Sequence, residues 1–347
     1  LWEVDVSDKT IPAKMRALEL RDYEGQPESV AVVEKEVPQP RAGEVLVRVA
    51  ASPVNPSDLA FLKGVYGLKK RLPVVPGFEG AGEVVASGGG LLARFLNGRR
   101  VACAAAADAD GTWAEYMRTD AKLCIPLRKE VETEQAAAMI VNPFTAWALL
   151  EKAEGRGGVV QSAAASALGR MINKLALSRG VELVNVVRRD EQAELLRSEG
   201  ARHVLNSNAE DFDERLRDLC KRLDVGLALD AVAGELTGKL LGALRKGGKA
   251  VVYGALSFEA CHADPRALIF EGKTVEGFWL TEWLREQGTL QLLRTASRVQ
   301  KMLGGELKTE VRARLPLEEA ARGIAEYAEN MTGGKILLVP SLRAGAI

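Results

Sequence analysis

The sequence lacks the features that mark several classes of protein. Its 347 residues carry no excess charge, because Lys plus Arg and Asp plus Glu both number 47, so no overall field draws the chain to nucleic acid or anionic lipid. No apolar run approaches the roughly 18 residues of a membrane-spanning helix, and the acidic opening LWEVDVSDKTIPAK is unlike a secretory signal. These absences favour a cytoplasmic protein that binds a small molecule, with residues 1–14 as a lead-in without function.

Closely spaced cysteines are also missing. Cys103, Cys124, Cys220 and Cys261 form no C-x-x-C pair, which is the spacing typical of zinc knots and redox centres. We expect reduced and mostly buried thiols.

What is present is apolar sequence sufficient for more than one core, since hydrophobic residues make up 47% of the chain. From Met15 to about Thr119, short β-rich runs broken by Gly and Pro predict a barrel-like unit. After a helical run that begins near Glu132, apolar strands alternate with amphipathic helices, which is typical of a doubly wound parallel sheet. A last apolar strand, KILLVP, has no helix partner and predicts a return to the first unit.

These patterns predict an α/β protein whose β-rich domain is split in sequence. The predicted segments are a lead-in at 1–14, a β-rich domain at 15–145 and 286–347, and a Rossmann-type nucleotide-binding domain at 146–285.

The segment GGVVQSAAASALGRMINKLALSRG predicts a strand, a turn of small residues and a helix. Such a helix N-terminus can hold the pyrophosphate of a dinucleotide. Gly169 takes the last position of the glycine fingerprint, but Ala165 and Ala167 stand where glycines are usual. The turn alone therefore fits a structural strand-to-helix connection equally well.

The end of the next strand separates NAD from NADP. Arg188 and Arg189 follow Gly169 by 19 and 20 positions, where an NAD enzyme carries an acid for the ribose 2′-hydroxyl. Two guanidinium groups suit a 2′-phosphate, which predicts NADP(H), although a solvated strand end is the alternative. Asp190 could bind the ribose hydroxyl, or it could be the N-cap of the helix EQAELLRSEG.

Short motifs follow one another in a characteristic order. They are VNPSD (54–58), KGVYG (63–67), PVVPGFEGAGEVV (73–85), GTWAEY (111–116), AAAMIVNPFTAW (136–147), NVVR (185–188), YG (253–254), EGFWL (276–280) and GGKILL (333–338). In this order they resemble the zinc-free medium-chain dehydrogenases/reductases, particularly the quinone oxidoreductase and enoyl-thioester reductase branches. The resemblance implies a GroES-like catalytic domain, a Rossmann domain, NADP(H), and a homodimer that joins the nucleotide sheets edge to edge.

The turn, the arginines and the resemblance together give the expected cofactor-binding residues. Trp279 would also line an acyl pocket, with core packing as its alternative. The expected set is Asn55, Asn142, Thr145, Ser166, Ala167, Leu168, Gly169, Arg188, Arg189, Tyr253, Phe278, Trp279 and Lys335.

The resemblance also bears on zinc. Zinc-dependent relatives place a Cys near the VNPSD position and a His inside a GHE run, whereas this chain has Asn55 and Phe78 there. Glu79 alone is no site, because tetrahedral zinc needs about three protein ligands. Without zinc, reduction of a simple ketone lacks its usual carbonyl polarisation. Conjugate reduction demands less, since hydride adds to the β-carbon and a proton follows at the α-carbon.

Tyr66 in KGVYG matches the tyrosine that enoyl-thioester reductases use at their active site. Its phenol could donate the proton or bond the developing enolate, or its ring could simply pack in a loop. The predicted activity is NADPH-dependent reduction of activated C=C bonds in 2-enoyl thioesters or enones. The alternatives are an NADPH:quinone oxidoreductase and a catalytically silent NADPH-binding protein of crystallin-like or regulatory type.

Overall fold

The structure, a computed structural model, describes residues 10–26 and 29–343. Residues 1–9 of the predicted lead-in lie outside the described residues, and the first strand begins at Lys14. The described residues form two compact units, one holding the chain up to Ile140 and again from Thr309, the other holding Val141–Lys308. Among the described helices, none has the length and apolar character needed to cross a membrane.

The strands are rich in Val, Leu and Ala, and the branched residues among these suit a pleated surface. Numbered along the chain, they are β1 (Lys14–Leu20), β2 (Val30–Glu36), β3 (Glu44–Pro53), β4 (Glu79–Ser87), β5 (Arg100–Ala104), β6 (Tyr116–Asp120), β7 (Cys124–Pro126), β8 (Val159–Gln161), β9 (Leu183–Val187), β10 (His203–Asn206), β11 (Leu227–Asp230), β12 (Lys249–Val252), β13 (Thr274–Gly277), β14 (Val311–Leu315) and β15 (Lys335–Leu338).

The helices are mostly short. Most of the longer ones present one apolar face to a sheet or to another helix, whereas the helix at Val141–Glu151 is buried on all sides. They are α1 (Pro56–Leu62), α2 (Leu91–Leu96), α3 (Thr133–Ala137), α4 (Val141–Glu151), α5 (Ala167–Ser178), α6 (Asp190–Ser198), α7 (Phe212–Arg222), α8 (Glu235–Ala243), α9 (Pro265–Glu271), α10 (Leu280–Glu286), α11 (Thr289–Met302) and α12 (Ala320–Glu329).

The first unit is built around β3. This strand pairs antiparallel with β4 and β6, and its end pairs with β15, where Leu338 lies opposite Ser52. The sheet order is β14-β15-β3-β4-β5-β7, and β1 and β2 pair separately. Val45 and Val47 face one apolar cluster while Leu46 faces another, as expected when successive side chains point to opposite faces. The chain thus returns to this unit at its last described strand.

The second unit contains a parallel sheet in the order β10-β9-β8-β11-β12-β13. Its inner strands, such as LVNVV and LALD, are buried throughout, which is typical of a sheet covered by helices on both faces. The strand order reverses between β8 and β11, which defines the switch point where such folds bind ligands. The predicted α/β class, with a GroES-like domain and a Rossmann sheet, is confirmed.

The two boundaries between the units differ from those predicted at 145/146 and 285/286. The second unit begins at Val141 and ends at Lys308. Both differences have one cause, because α4 packs against α5 and α11 within the second unit. Residues 286–308, expected in the β-rich domain, therefore belong to the nucleotide-binding unit.

Candidate active site

The predicted dinucleotide turn lies between β8 and α5 in the second unit. Ser166 is the N-cap of α5, and its Oγ accepts a hydrogen bond of 3.1 Å from the Gly169 N–H. Gly169 is required for close packing, because a Cβ there would stand 2.6 Å from the Ala164 carbonyl oxygen. The N–H groups of Ala167 and Leu168 lie in the first turn of a helix, where no intrahelical acceptor exists. The turn therefore offers backbone donors and a positive helix end to an anion.

The alanines of the turn, whose methyl groups could hold a ligand away, are placed differently from one another. Ala165 is buried in an apolar cluster that includes Val187 and Leu196, while Ala167 is half-buried at the start of α5. Ala163 carries the unusual backbone, with φ at +48°, a conformation that L-residues other than Gly, Asn and Asp rarely adopt. Within the turn, Ala163 therefore has a strained backbone, Ala165 is packed in an apolar cluster, and Ala167 is partly exposed at the helix start.

Arg188 and Arg189 follow β9 directly and both are exposed. Among the described residues, neither guanidinium pairs with a carboxylate. Arg189 is the N-cap residue of α6 and Asp190 is its first helical residue, so the N-cap interpretation of Asp190 is wrong. The Asp190 carboxylate instead accepts a bond of 2.9 Å from the Asn206 amide.

Three more predicted residues lie at the carboxyl edge of the same sheet. Tyr253 follows β12, while Phe278 and Trp279 follow β13. The Tyr253 hydroxyl is buried without a hydrogen-bond partner in the described part of the chain. Burial, with a smaller effect from the Asp230 charge, raises the pKa of Tyr253, so this phenol stays neutral. Trp279 is 37% exposed and is the N-cap of α10, which contradicts a pure core role.

Asn142 and Thr145 lie on α4, three positions apart and therefore on one face. Both are buried polar residues, at 6% and 7% exposure.

Asn55 and Lys335 meet in the interior of the first unit. The Lys335 ammonium donates to the Asn55 Oδ1, to the Val54 carbonyl oxygen at 3.3 Å and to the Tyr327 hydroxyl at 3.2 Å. An ammonium has three donors, so all of them are used within the unit. The Asn55 amide nitrogen in turn donates to Glu79 Oε1 at 2.9 Å. Two residues that the sequence assigns to the cofactor are thus bonded to each other.

Two buried carboxylates accompany this lysine. Glu79 is 1% exposed, and its Oε2 accepts a bond of 2.8 Å from the Ile140 N–H. Asp58 is fully buried and accepts from two backbone N–H groups, those of Asn55 at 2.8 Å and Phe78 at 3.2 Å. Burial raises the pKa of Asp58 to about 7, with a further rise from the Glu79 charge, against the lowering effects of the two N–H groups and Lys335. One lysine and two acids are therefore buried together in the interior of the first unit.

Tyr66 lies in the loop after α1. Its ring packs on the Phe78 ring, with centroids 4.8 Å apart and planes tilted by 39°. Its N–H donates to the Ala60 carbonyl oxygen at 3.2 Å. Tyr66 is half-buried, so its phenol belongs to a fixed ring at the edge of the first unit's core.

Sequence reasoning missed Asp58 and set Glu79 aside. Asp58 was visible in the spacing N-x-x-D, because an acid three residues after an N-cap residue can reach back to the cap N–H. No local signal joins Glu79 to Lys335, since their elements are far apart in sequence. Among the described residues, no group of three or more His, Cys, Asp or Glu could hold a metal ion.

Two family models match the chain in the same order as its two units. The "Alcohol dehydrogenase GroES-like domain" model matches residues 41–129, and the "Zinc-binding dehydrogenase" model matches residues 167–295.

Curated relatives cover most of the chain. The mitochondrial enoyl-[acyl-carrier-protein] reductase of Caenorhabditis elegans is 33% identical over 290 residues, which span 80% of this chain and 81% of the relative. The human mitochondrial enzyme of the same name is 31% identical over 283 residues, spanning 79% and 75%.

Solved structures show the same fold over nearly the whole length. A provisionally named NADPH:quinone reductase from Mesorhizobium loti is 39% identical with a TM-score of 0.88, covering 95% of this chain and all of that one. A quinone oxidoreductase from Thermus thermophilus, also solved as its NADPH complex, is 27% identical with a TM-score of 0.77, covering 94% and 100%. The class defined by fold and relatives is thus an oxidoreductase. The chain belongs to the medium-chain dehydrogenase/reductase family.

Proposed function

We propose that this protein is an NADPH-dependent reductase of activated C=C bonds, with 2-enoyl thioesters as the substrate class and Tyr66 as the proton donor. The observation that carries the proposal is the fixed Tyr66 ring on Phe78. The similarity to two enoyl reductases over about four-fifths of the chain supports the substrate class. A phenol held at one position can deliver a proton to the substrate α-carbon, or bond the charged oxygen, without first being ordered.

The residues of the second unit fit the cofactor. The first turn of α5 suits the pyrophosphate, because its backbone donors and helix end favour negative charge. Arg188 and Arg189 have exposed guanidinium groups suited to a 2′-phosphate. When bound, NADPH supplies the hydride. The proposed cofactor-binding set also keeps the other residues expected from the sequence, which are Asn55, Asn142, Thr145, Ser166, Ala167, Leu168, Gly169, Tyr253, Phe278, Trp279 and Lys335.

We further propose that the reaction proceeds without zinc. The support is chemical, because an amide and a phenyl ring at Asn55 and Phe78 replace the thiolate and imidazole of the zinc-dependent relatives. Asn55 already bonds Glu79 and a lysine ammonium, and a positive charge beside a divalent cation is unfavourable.

An anaerobic assay of NADPH oxidation tests the activity. Crotonyl-CoA, a longer enoyl-CoA, an ortho-quinone and a para-quinone are compared side by side. We expect the enoyl thioesters to react fastest, and Tyr66→Phe to lower kcat about 100-fold, within the range of general acid catalysis. Tyr116→Phe, in β6, is the matched control and should behave as wild type. Unchanged turnover in Tyr66→Phe would refute the donor role.

Quinone reduction is the second candidate, and the 39% identity to a provisionally named NADPH:quinone reductase favours it. In that case only the quinones would react, and Tyr66→Phe would have little effect, because no carbon is protonated. NADPH binding without consumption of NADPH by any acceptor would instead support the silent, crystallin-like alternative.

The proposal includes a homodimer formed along β13. This strand ends the sheet order, is largely exposed, and pairs with β12 as its one described neighbour. The helix that precedes it, α9, carries exposed apolar side chains, with Ile269 69% and Phe270 76% exposed. We expect Phe270→Glu to halve the mass measured by light scattering, whereas Leu91→Glu, at an even more exposed apolar site on the first unit, should not. A cytoplasmic location stays a prediction.

A further inference from the structure

We propose that Asp58 is a positioning residue for Tyr66, because its buried carboxylate fastens together the two elements that hold the Tyr66 ring. The inference rests on the proposed role of Tyr66 in catalysis. Its physical content, the placement of the ring, can be measured without turnover.

The first element that holds Tyr66 is α1. The chain leaves this helix in a tight turn, in which the Ala60 carbonyl oxygen accepts from the Val65 N–H at 3.1 Å and from the Tyr66 N–H at 3.2 Å. The loop carrying the phenol is thus tied to the middle of α1. Any shift of the helix moves Tyr66 with it.

The second element is the segment that enters β4. Phe78 supports the Tyr66 ring from one side and also packs edge-to-face on Phe61 of α1, at 5.5 Å and 73°. The direction of this segment is set at its backbone, where the Phe78 N–H donates to Asp58 Oδ1.

The same carboxylate holds the start of α1, since its Oδ2 accepts from the Asn55 N–H. The two oxygens of one side chain therefore bridge the helix and the strand entry. While Asp58 makes both bonds, α1, which holds the Tyr66 loop, and the Phe78 segment, which supports the Tyr66 ring, cannot move independently.

The bridge that the Asp58 carboxylate makes between the Asn55 and Phe78 N–H groups is called the clamp. The clamp depends on the protonation of Asp58. A carboxylate accepts strongly at both oxygens, but in a protonated acid one oxygen carries the proton and becomes a much weaker acceptor, so the bond to one of the two N–H groups is weakened. The charged and titratable groups that surround the site are Glu79 of β4, Lys335 of β15 and Tyr327 of α12. Because the pKa of Asp58 lies near 7, the clamp changes as pH passes through about 7.

The test compares Asp58→Asn and Asp58→Ala in the full chain. Asn keeps one acceptor oxygen and Ala keeps none. We expect kcat to fall about 10-fold and about 100-fold respectively, the scale of a misplaced catalytic group, while the Kd for NADPH changes less than about twofold. The wild-type fall in kcat as pH drops through about 7 should disappear in Asp58→Asn. Asp120→Asn, which removes a helix-capping carboxylate elsewhere in the unit, is the matched control and should match wild type.

A spectroscopic readout separates positioning from chemistry. With ring-labelled [13C]tyrosine, the Tyr66 resonance is assigned from its absence in Tyr66→Phe. It should shift or broaden in Asp58→Asn, while that of Tyr253 in the second unit stays fixed. An unshifted Tyr66 resonance, or an unchanged kcat in Asp58→Asn, would overturn the inference. Full turnover in Tyr66→Phe would refute the donor role alone, since the resonance still reports the placement of the ring.

Discussion

In the first unit the charges at the candidate site are buried and hydrogen-bonded to neutral groups of the same unit, whereas in the second unit they are exposed and, among the described residues, have no carboxylate partner. Asp58, Glu79 and Lys335 are all buried in the first unit, while Arg188 and Arg189 face solvent. Removing one member of a buried set leaves an uncompensated charge, which costs several kcal/mol, but an exposed charge contributes little to stability. The first site is therefore coupled to folding, and the second can change its ligand preference with little effect on the fold.

The largest expected effect comes from removing one of the three buried charges, Asp58, Glu79 and Lys335. Lys335→Met removes the ammonium and leaves Asn55, Tyr327 and the two carboxylates without it, so we expect the free energy of unfolding to fall by about 3–5 kcal/mol. Urea denaturation measures this change. Lys14→Met removes the exposed partner of Glu34 and should cost less than about 1 kcal/mol. Similar losses in the two variants would contradict the comparison.

The next effect is the pH dependence of stability. The pKa of Asp58 rises from 3.8 unfolded to about 7 folded, so its contribution to stability is fully present below about pH 3.8. It is lost as pH rises through about 7, and at 1.36 kcal/mol per pKa unit the total is roughly 4 kcal/mol.

The difference in unfolding free energy between wild type and Asp58→Asn, followed from pH 4 to 8, isolates this contribution, because the amide does not titrate. As pH rises, the unfolding free energy of wild type should fall relative to that of Asp58→Asn. A flat difference would show that Asp58 ionises normally. Stability and the proposed clamp thus favour opposite protonation states of Asp58.

A smaller effect tests the exposed site. Arg188→Ala with Arg189→Ala should weaken NADPH binding by roughly 2–3 kcal/mol, the scale of hydrogen bonds to charged groups. NADH binding should hardly change, because NADH lacks the 2′-phosphate. Calorimetric titration with each cofactor measures both, and the unfolding midpoint should stay constant. An equal loss for NADH would refute the phosphate assignment.

The smallest effect concerns the backbone of the dinucleotide turn. Ala163 has φ at +48°, so Ala163→Gly should raise the free energy of unfolding by about 1 kcal/mol. Ala176→Gly, inside α5 with ordinary helical geometry, should lower it by at least about 1 kcal/mol. Thermal unfolding of the two variants would refute the strain argument if both changes had the same sign.

The strands and helices that depend on short-range sequence patterns could be predicted from the sequence. The strands of the parallel sheet, such as LALD, and helices such as α6 and α7 follow from apolar runs and helical periodicity. The association of Asn55 with Lys335 joins residues 280 positions apart, and no periodicity carries that information. Lys335 was therefore assigned to the cofactor by its motif, although its donors are used internally. Asp190 shows why helix caps are hard to predict from sequence. A shift of one residue in the helix start changes Asp190 from the N-cap to the first helical residue.

The interrupted layout of the first unit has a consequence for biogenesis. Residues 141–308 are contiguous, so a ribosome delivers the complete nucleotide-binding unit before it adds Lys335. Strand β3 is synthesised early, but β15, which pairs with it at Ser52 and Pro53, is synthesised much later. The Asn55–Lys335 contact cannot form until residue 335 has been synthesised, so the second unit can complete its fold before the first, against the usual N-terminal-first order. A nascent chain stalled before residue 335 would hold every residue of the Rossmann sheet but would lack the lysine that Asn55 binds in the first unit.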